Sequence, residues 1–346
     1  MKPQNKSGQA SRFDPRAEAV DVLVKVDRSD ANADELSAAV MDRHRDADPR
    51  DRGLFFEIVM GVLRMRGTLD WFISKASSRG LEQIEPAALQ AIRVATYQLV
   101  CLDRIPPHAA VNECVNLVKA ICGEGPARFV NAVMRKISST VADSAAKEKA
   151  IAGMDRPSRL SHPEWMVRVF DSSMGSAGTD SLCAANNSEP PLTIRATVNL
   201  IGNSAGGGRE RLAAILASEG FKTTPCRYAP QALLLDRSPV SPLAPVFHAR
   251  SFQDGLWTVQ DEAAQLVSLA LDPRPGERVL DACAAPGGKT AHIADLMNRK
   301  GEIIAVDRDS RRSALLKETV KRLNLSSVRL MVADASAKLD FGPDGF

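Results

Sequence analysis

At 346 residues the chain is too long for one small core, and a prior of about 100 to 200 residues per domain allows two or three domains. Its 44% hydrophobic and 25% charged residues exclude a fibrous or wholly disordered protein. With 45 Lys and Arg against 42 Asp and Glu the net charge is +3, so a polyanion-binding surface has to come from local clustering, not bulk charge.

Residues 1–12 are rich in Lys, Gln, Ser and Gly and read as a disordered tail. From 13 to 140 the apolar spacing is helical: Ala17, Val20, Leu23 and Val24, then Leu54, Ile58, Val59 and Val62, then Leu89, Ile92, Tyr97 and Leu99. Pro49, Pro86 and the pair Pro106 and Pro107 mark helix boundaries. Residues 141–160 read as a linker, with a short solvated helix at Ala145 to Ala152. Residues 161–256 read as a small α/β region: a helix near Pro163 to Phe170, a strand at Leu192 to Val198, a helix at Arg209 to Glu219 and a strand at Ala232 to Leu235. From 257 to 346 strands and helices alternate. A helix at Asp261 to Leu271 precedes strands at Arg278 to Asp281, Ile303 to Asp307 and Val328 to Asp334, with helices after Lys289 and at Ser313 to Leu323, the pattern of a doubly wound parallel sheet. Three strands fall short of the usual five or so, so the sheet reads as incomplete, an expectation that the chain stops inside its last domain.

The chemistry concentrates at that sheet's first turn. Pro286, Gly287 and Gly288 follow the first strand, where glycine lets backbone approach a ligand closely. The turn is not GxGxxG, which argues against a nicotinamide dehydrogenase. Asp307 ends the second strand, where a carboxylate can accept ribose hydroxyls, and Asp334 ends the third. Each alone can equally cap the next helix; together with Asp281 they favour a nucleoside pocket. The six cysteines, Cys101, Cys114, Cys122, Cys183, Cys226 and Cys283, form no CxxC pair and have no His at ligand spacing, which predicts reduced thiols and no metal site. The absence of an apolar run of about 18 residues and of a signal-peptide core gives the expectation of a cytoplasmic protein without membrane contact.

Val279 to Thr290, VLDACAAPGGKT, resembles the first motif of the RsmB group, also called Sun or Fmu, of RNA cytosine-C5 methyltransferases. Trp257 to Gln265 resembles the group's VQDEAAQ segment and Ile304 to Asp307 its second motif, while Leu102 to Pro106, His108 to Glu113 and Phe129 to Arg135 resemble NusB. The resemblance implies an all-α NusB-like RNA-binding domain, a small α/β middle region and an incomplete Rossmann-like methyltransferase domain. It implies S-adenosyl-L-methionine as cofactor, with Cys283, Ala284, Ala285, Pro286, Gly287, Gly288 and Lys289 around the methionine moiety, Asp307 on the ribose and Asp334 beside the adenine. The partner it implies is small-subunit ribosomal RNA, and a monomer is expected. In the group a cysteine thiolate adds to cytosine C6 before C5 is methylated. Its Asp-Ala-Pro-Cys-like and Thr-Cys-Ser-like motifs are absent here, so no catalytic residue is assigned in this chain. It is expected beyond Phe346, and the chain as given is expected to bind cofactor weakly or not at all and to be inactive alone.

Cys283 reads as a small packed thiol in the loop, not as the attacking group. Arg308 and Arg312 lie near the pocket, their default a solvated helix face. His108 and Arg104 read as turn residues, Trp165, beside His162, as a core anchor, and Arg43, Arg45, Arg50 and Arg52, interleaved with Asp42, Asp46, Asp48 and Asp51, as a solvated face. The alternative function is a NusB-like RNA-binding or antitermination adaptor carrying an inactive methyltransferase region.

Overall fold

A computed structural model describes residues 13–29, 31–102, 105–201, 207–236, 249–339 and 341, and the chain divides into two compact units, Met1–Glu189 and Pro190–Phe346. The expected tail at 1–12, Arg104 and the terminal residues 342–346 lie outside the described residues.

The first unit is helical: α1 (Pro15–Arg28), α2 (Ala33–Arg43), α3 (Pro49–Arg64), α4 (Arg66–Ala76), α5 (Pro86–Cys101), α6 (Pro107–Cys122), α7 (Glu124–Thr140), α8 (Ser144–Ala152), α9 (Arg156–Leu160) and α10 (Glu164–Asn187). The prolines read as boundaries occupy the first turns of α3, α5 and α6, where the missing N–H costs nothing. Helix α5 is buried almost all round and packs against α1, α3, α4, α6 and α7. It therefore carries a charge into the core: Arg93 is gripped at 2.7 and 2.9 Å by both oxygens of Asp70 and touches Asp27 at 3.3 Å. Gly61 is glycine because a Cβ there would stand 2.0 Å from the Tyr97 ring. That ring's hydroxyl donates to Glu57, and burial first, then the Glu57 carboxylate, push it far above the phenolic range.

The segment read as a linker with a short helix at Ala145 to Ala152 holds α8 and α9 and packs onto the helices before it. Ile151 and Met154 pack with Phe72 and Val100, the Thr68 hydroxyl donates to Ser158 O at 2.8 Å, and the Ser161 hydroxyl donates to Arg64 O at 3.0 Å. The helix read as ending near Phe170 continues to Asn187, broken at Gly175 (φ +71°), and Arg156 ties its two halves by pairing with Asp171 at 2.7 Å and Asp180 at 2.8 Å. Trp165, read as a core anchor, is 59% exposed in the first turn of α10.

The second unit holds two sheets. Strands β1 (Leu192–Ala196), β2 (Thr223–Pro225), β3 (Ala232–Leu235) and β4 (Trp257–Val259) form an antiparallel sheet in the order β2-β3-β1-β4. Helices α11 (Val198–Ile201), α12 (Gly208–Ser218) and α13 (Arg250–Gln253) accompany it, and its core joins Ile194, Leu212, Leu216, Leu233 and the fully buried Trp257. The strand at 257–259 pairs with β1, Ile194 opposite Val259, so a boundary at 256 cuts through this sheet; three residues are too few to register as alternation. After α14 (Glu262–Leu271) come β5 (Arg278–Asp281), α15 (Gly288–Leu296), β6 (Glu302–Asp307), α16 (Ser310–Arg322) and β7 (Val328–Val332). β5, β6 and β7 are parallel and adjacent in that order, with Asp281 opposite Ala305 and Asp307 opposite Val332. Successive strands start from the same end, so Asp281, Asp307 and Asp334 come to one edge.

Candidate functional site

Loop 282–287 leaves the C-terminal end of β5 and enters α15 at Gly288. The Ala284 amide donates to Val306 O at 2.9 Å and the Ala285 amide to Asp307 Oδ2 at 3.0 Å, so the loop is stitched to β6. Asp307 is 5% exposed, and its Oδ1 accepts the Asp309 amide at 3.1 Å. Each carboxylate oxygen keeps a second lone pair. From the other side α16 reaches over: Arg312 Nη2 donates to Ala285 O at 2.8 Å and the Thr319 hydroxyl to Pro286 O at 2.9 Å. The Thr290 hydroxyl donates to Asp281 Oδ2 at 2.7 Å and closes the loop onto its own strand.

The two glycines have different reasons. Gly287 sits at φ +106°, and a Cβ there would stand 2.8 Å from Leu316 Cδ1 and 3.2 Å from Thr319 Cγ2. A side chain at Gly287 would thus collide with α16, a demand of the fold that stands beside the close approach to a ligand read from the sequence. At Gly288 a Cβ would meet only Gln260, at 3.8 and 3.9 Å, which is ordinary contact. The amides of Gly288, Lys289 and Thr290 open α15 and have no protein acceptor among the described residues. Ala284 and Ala285 are buried, whereas Cys283, Pro286 and Lys289 are exposed. The expectation of a packed Cys283 thiol is therefore overturned: strand β5 has ended, and the side chain turns out from the sheet.

Asp334 lies two residues past β7 and is exposed; the amide and hydroxyl of Ser336 donate to its Oδ1 at 2.9 and 2.7 Å. Those bonds, with the charge of Arg308 further off, hold its carboxyl below the usual carboxylate range. Among the described residues no three His, Cys, Asp or Glu side chains gather as a metal site, and no helix is long and apolar enough to cross a membrane.

The chain is 34% identical over 316 residues to the probable ribosomal RNA small subunit methyltransferase B of Synechocystis, covering 90% of this chain and 68% of that protein. It is 32% identical over 318 residues to the corresponding probable methyltransferase of Bacillus subtilis, covering 92% and 68%. The chain belongs to the ribosomal RNA small subunit methyltransferase B family. Three family models match in the order that the architecture displays: the NusB family over residues 14–139, the ferredoxin-like domain of RsmF/B-like methyltransferases over 162–241, and 16S rRNA methyltransferase RsmB/F over 268–342. The crystal structure of PH0851 superposes with a TM-score of 0.71 over 94% of this chain and 71% of that one, at 21% identity, which bears on fold alone.

Within this family member, the structure brings Ala284, Ala285, Gly287, Gly288 and Asp307 into one hydrogen-bonded and packed unit with Arg312 and Thr319. Asp334 stands at the same edge without touching them. Arg312, given the default of a solvated residue, is instead a clasp on the loop. Thr319 was missed altogether. Its signal is faint: Arg312, Leu316 and Thr319 lie three to four residues apart on one face of α16, a spacing that every amphipathic helix shows.

Proposed function

We propose that this methyltransferase transfers a methyl group from S-adenosyl-L-methionine to C5 of a cytosine in small-subunit ribosomal RNA. The observation that carries the reading is the 281–289 loop pinned by Asp307 at the C-terminal edge of a parallel sheet, the place where such sheets bind nucleotides. The donor set fits the cofactor. Three acceptor-free amides and Lys289 at the start of α15 suit a carboxylate, the free lone pairs of Asp307 suit ribose hydroxyls, and the exposed Asp334 carboxylate at the same sheet edge suits a donor such as an adenine amino group.

In this reading Cys283 to Lys289 surround the methionine moiety, Asp307 orients the ribose and Asp334 faces the adenine. Bound there, the cofactor supplies an electrophilic methyl on a sulfonium. Arg312 and Thr319 hold the carbonyls of Ala285 and Pro286 and so fix the loop that leads into the acceptor-free amides of α15. Cytosine C5 becomes nucleophilic only after a thiolate adds to C6, and no cysteine of this chain is assigned that step. The target base must be unstacked, which favours a loop or single-stranded cytosine. The test is tritium transfer from labelled cofactor to undermethylated small-subunit RNA by the full-length gene product; absence of labelled 5-methylcytosine overturns the reading. The match of residues 14–139 to the NusB family supports a second reading, an RNA-binding adaptor, which predicts retained RNA binding without methyl transfer.

A further inference from the structure

Arg195 on β1 is fully buried, and besides the neighbouring Ala196 O at 3.5 Å its guanidinium has two side-chain partners from other parts of the chain. Nε donates to Gln260 Oε1 at 2.8 Å, and Nη1 donates to Asp295 Oδ2. Asp295 is itself buried and lies on α15, about two turns beyond Gly288. Gln260, between β4 and α14, is held on three sides: its amide donates to Thr193 O at 3.1 Å, its carbonyl accepts from Gln265 Nε2 at 3.0 Å, and its Oε1 takes Arg195. The Gln260 side chain then lies against Gly288, Cγ and Cδ at 3.8 and 3.9 Å from where a Cβ would stand. One guanidinium on the antiparallel sheet thus grips α15 directly near its end and, through Gln260, at its first residue.

Such a pair is a poor stabiliser, because desolvating both charges offsets most of their attraction, and apolar side chains of equal volume would serve as well or better. What apolar contacts do not provide is register. They let a helix slide or roll by a fraction of a turn, whereas a planar fork with two directional acceptors does not. We infer that Arg195 is a positioning residue, fixing the rotation and height of α15 and so the aim of the 281–289 loop. That this loop is the cofactor loop rests on the reading above. Arg195 touches no reacting atom.

The test uses the whole 346-residue chain with Arg195→Lys, which keeps a cation for Asp295 but loses the fork, and Gln260→Met, which keeps volume against Gly288 but removes the acceptor. Amide exchange followed by NMR is read at Ala284, Ala285 and Ala291, whose amides donate to Val306 O, Asp307 Oδ2 and Gly287 O, and at Ile303 to Val306 in β6 as reference. Both variants are expected to accelerate exchange at the loop amides by about ten-fold or more while the β6 amides stay unchanged. Unchanged loop exchange, or equal acceleration in β6, overturns the inference and leaves Arg195 a general structural residue. Absence of methyl transfer by the full-length gene product would count against the cofactor reading, while the exchange comparison still decides the positioning role.

Discussion

Replacing each loop glycine by alanine separates the conformational demand of the fold from any demand of a ligand. At Gly287, φ of +106° places an L residue in a sparsely populated region at about 1–3 kcal/mol. The new methyl also lands 2.8 Å from Leu316 Cδ1 and 3.2 Å from Thr319 Cγ2, and Leu316 is buried, so relief requires repacking at about 1–3 kcal/mol more. The sum for Gly287→Ala is a loss of about 2–6 kcal/mol. Gly288→Ala puts its methyl in ordinary contact with Gln260 at the first position of a helix, where alanine is the better former, so stability stays level or rises by up to about 1 kcal/mol. The assay is urea unfolding followed by the fluorescence of Trp257, buried in the same unit, with Trp71 and Trp165 changed to Phe. Equal destabilisation by both substitutions, or none by either, would refute the argument that the turn is dictated by α16.

Three further outcomes are expected. Exposed Cys283 should be alkylated first among the cysteines at pH 8, while Cys114, whose thiol burial pushes up to about 12, stays unmodified in the native chain; peptide mass spectrometry checks the order. His292 is buried on α15, and burial first, then the Arg195 charge, bring it down to about 3 from an ordinary value of 6.5. Its folded pKa lies below its unfolded one, so the unfolded chain binds the extra proton and stability falls as pH drops from 6.5 toward 3, with a slope of at most about 1.4 kcal/mol per pH unit. His292→Gln should flatten that part of the profile, and an unchanged slope would remove His292 as its cause. Arg93→Met leaves Asp70 and Asp27 facing α5 without their buried cation. Because Arg66 remains 2.9 Å from Asp27, the loss in the helical unit should fall near the lower end of about 3–5 kcal/mol, seen by circular dichroism during urea unfolding.

Much of this protein was legible in its sequence because the signals are local. Helical periodicity, proline at helix starts, and the alternation of strands with helices after residue 261 each depend on neighbours within a few positions, and the structure follows them closely. The VLDACAAPGGKT stretch was legible for the same reason, as a strand, a turn and a helix start in unbroken order. Tertiary structure alone decided what was distant or brief. It gave Trp257 to a sheet rather than to the domain that follows, turned Trp165 and Cys283 outward, and made Gly287 a contact of α16. It also joined Arg195 to Asp295 across one hundred positions of chain. A buried ion pair leaves no periodic trace, since each member looks like any other charge until the fold brings its partner and removes the water.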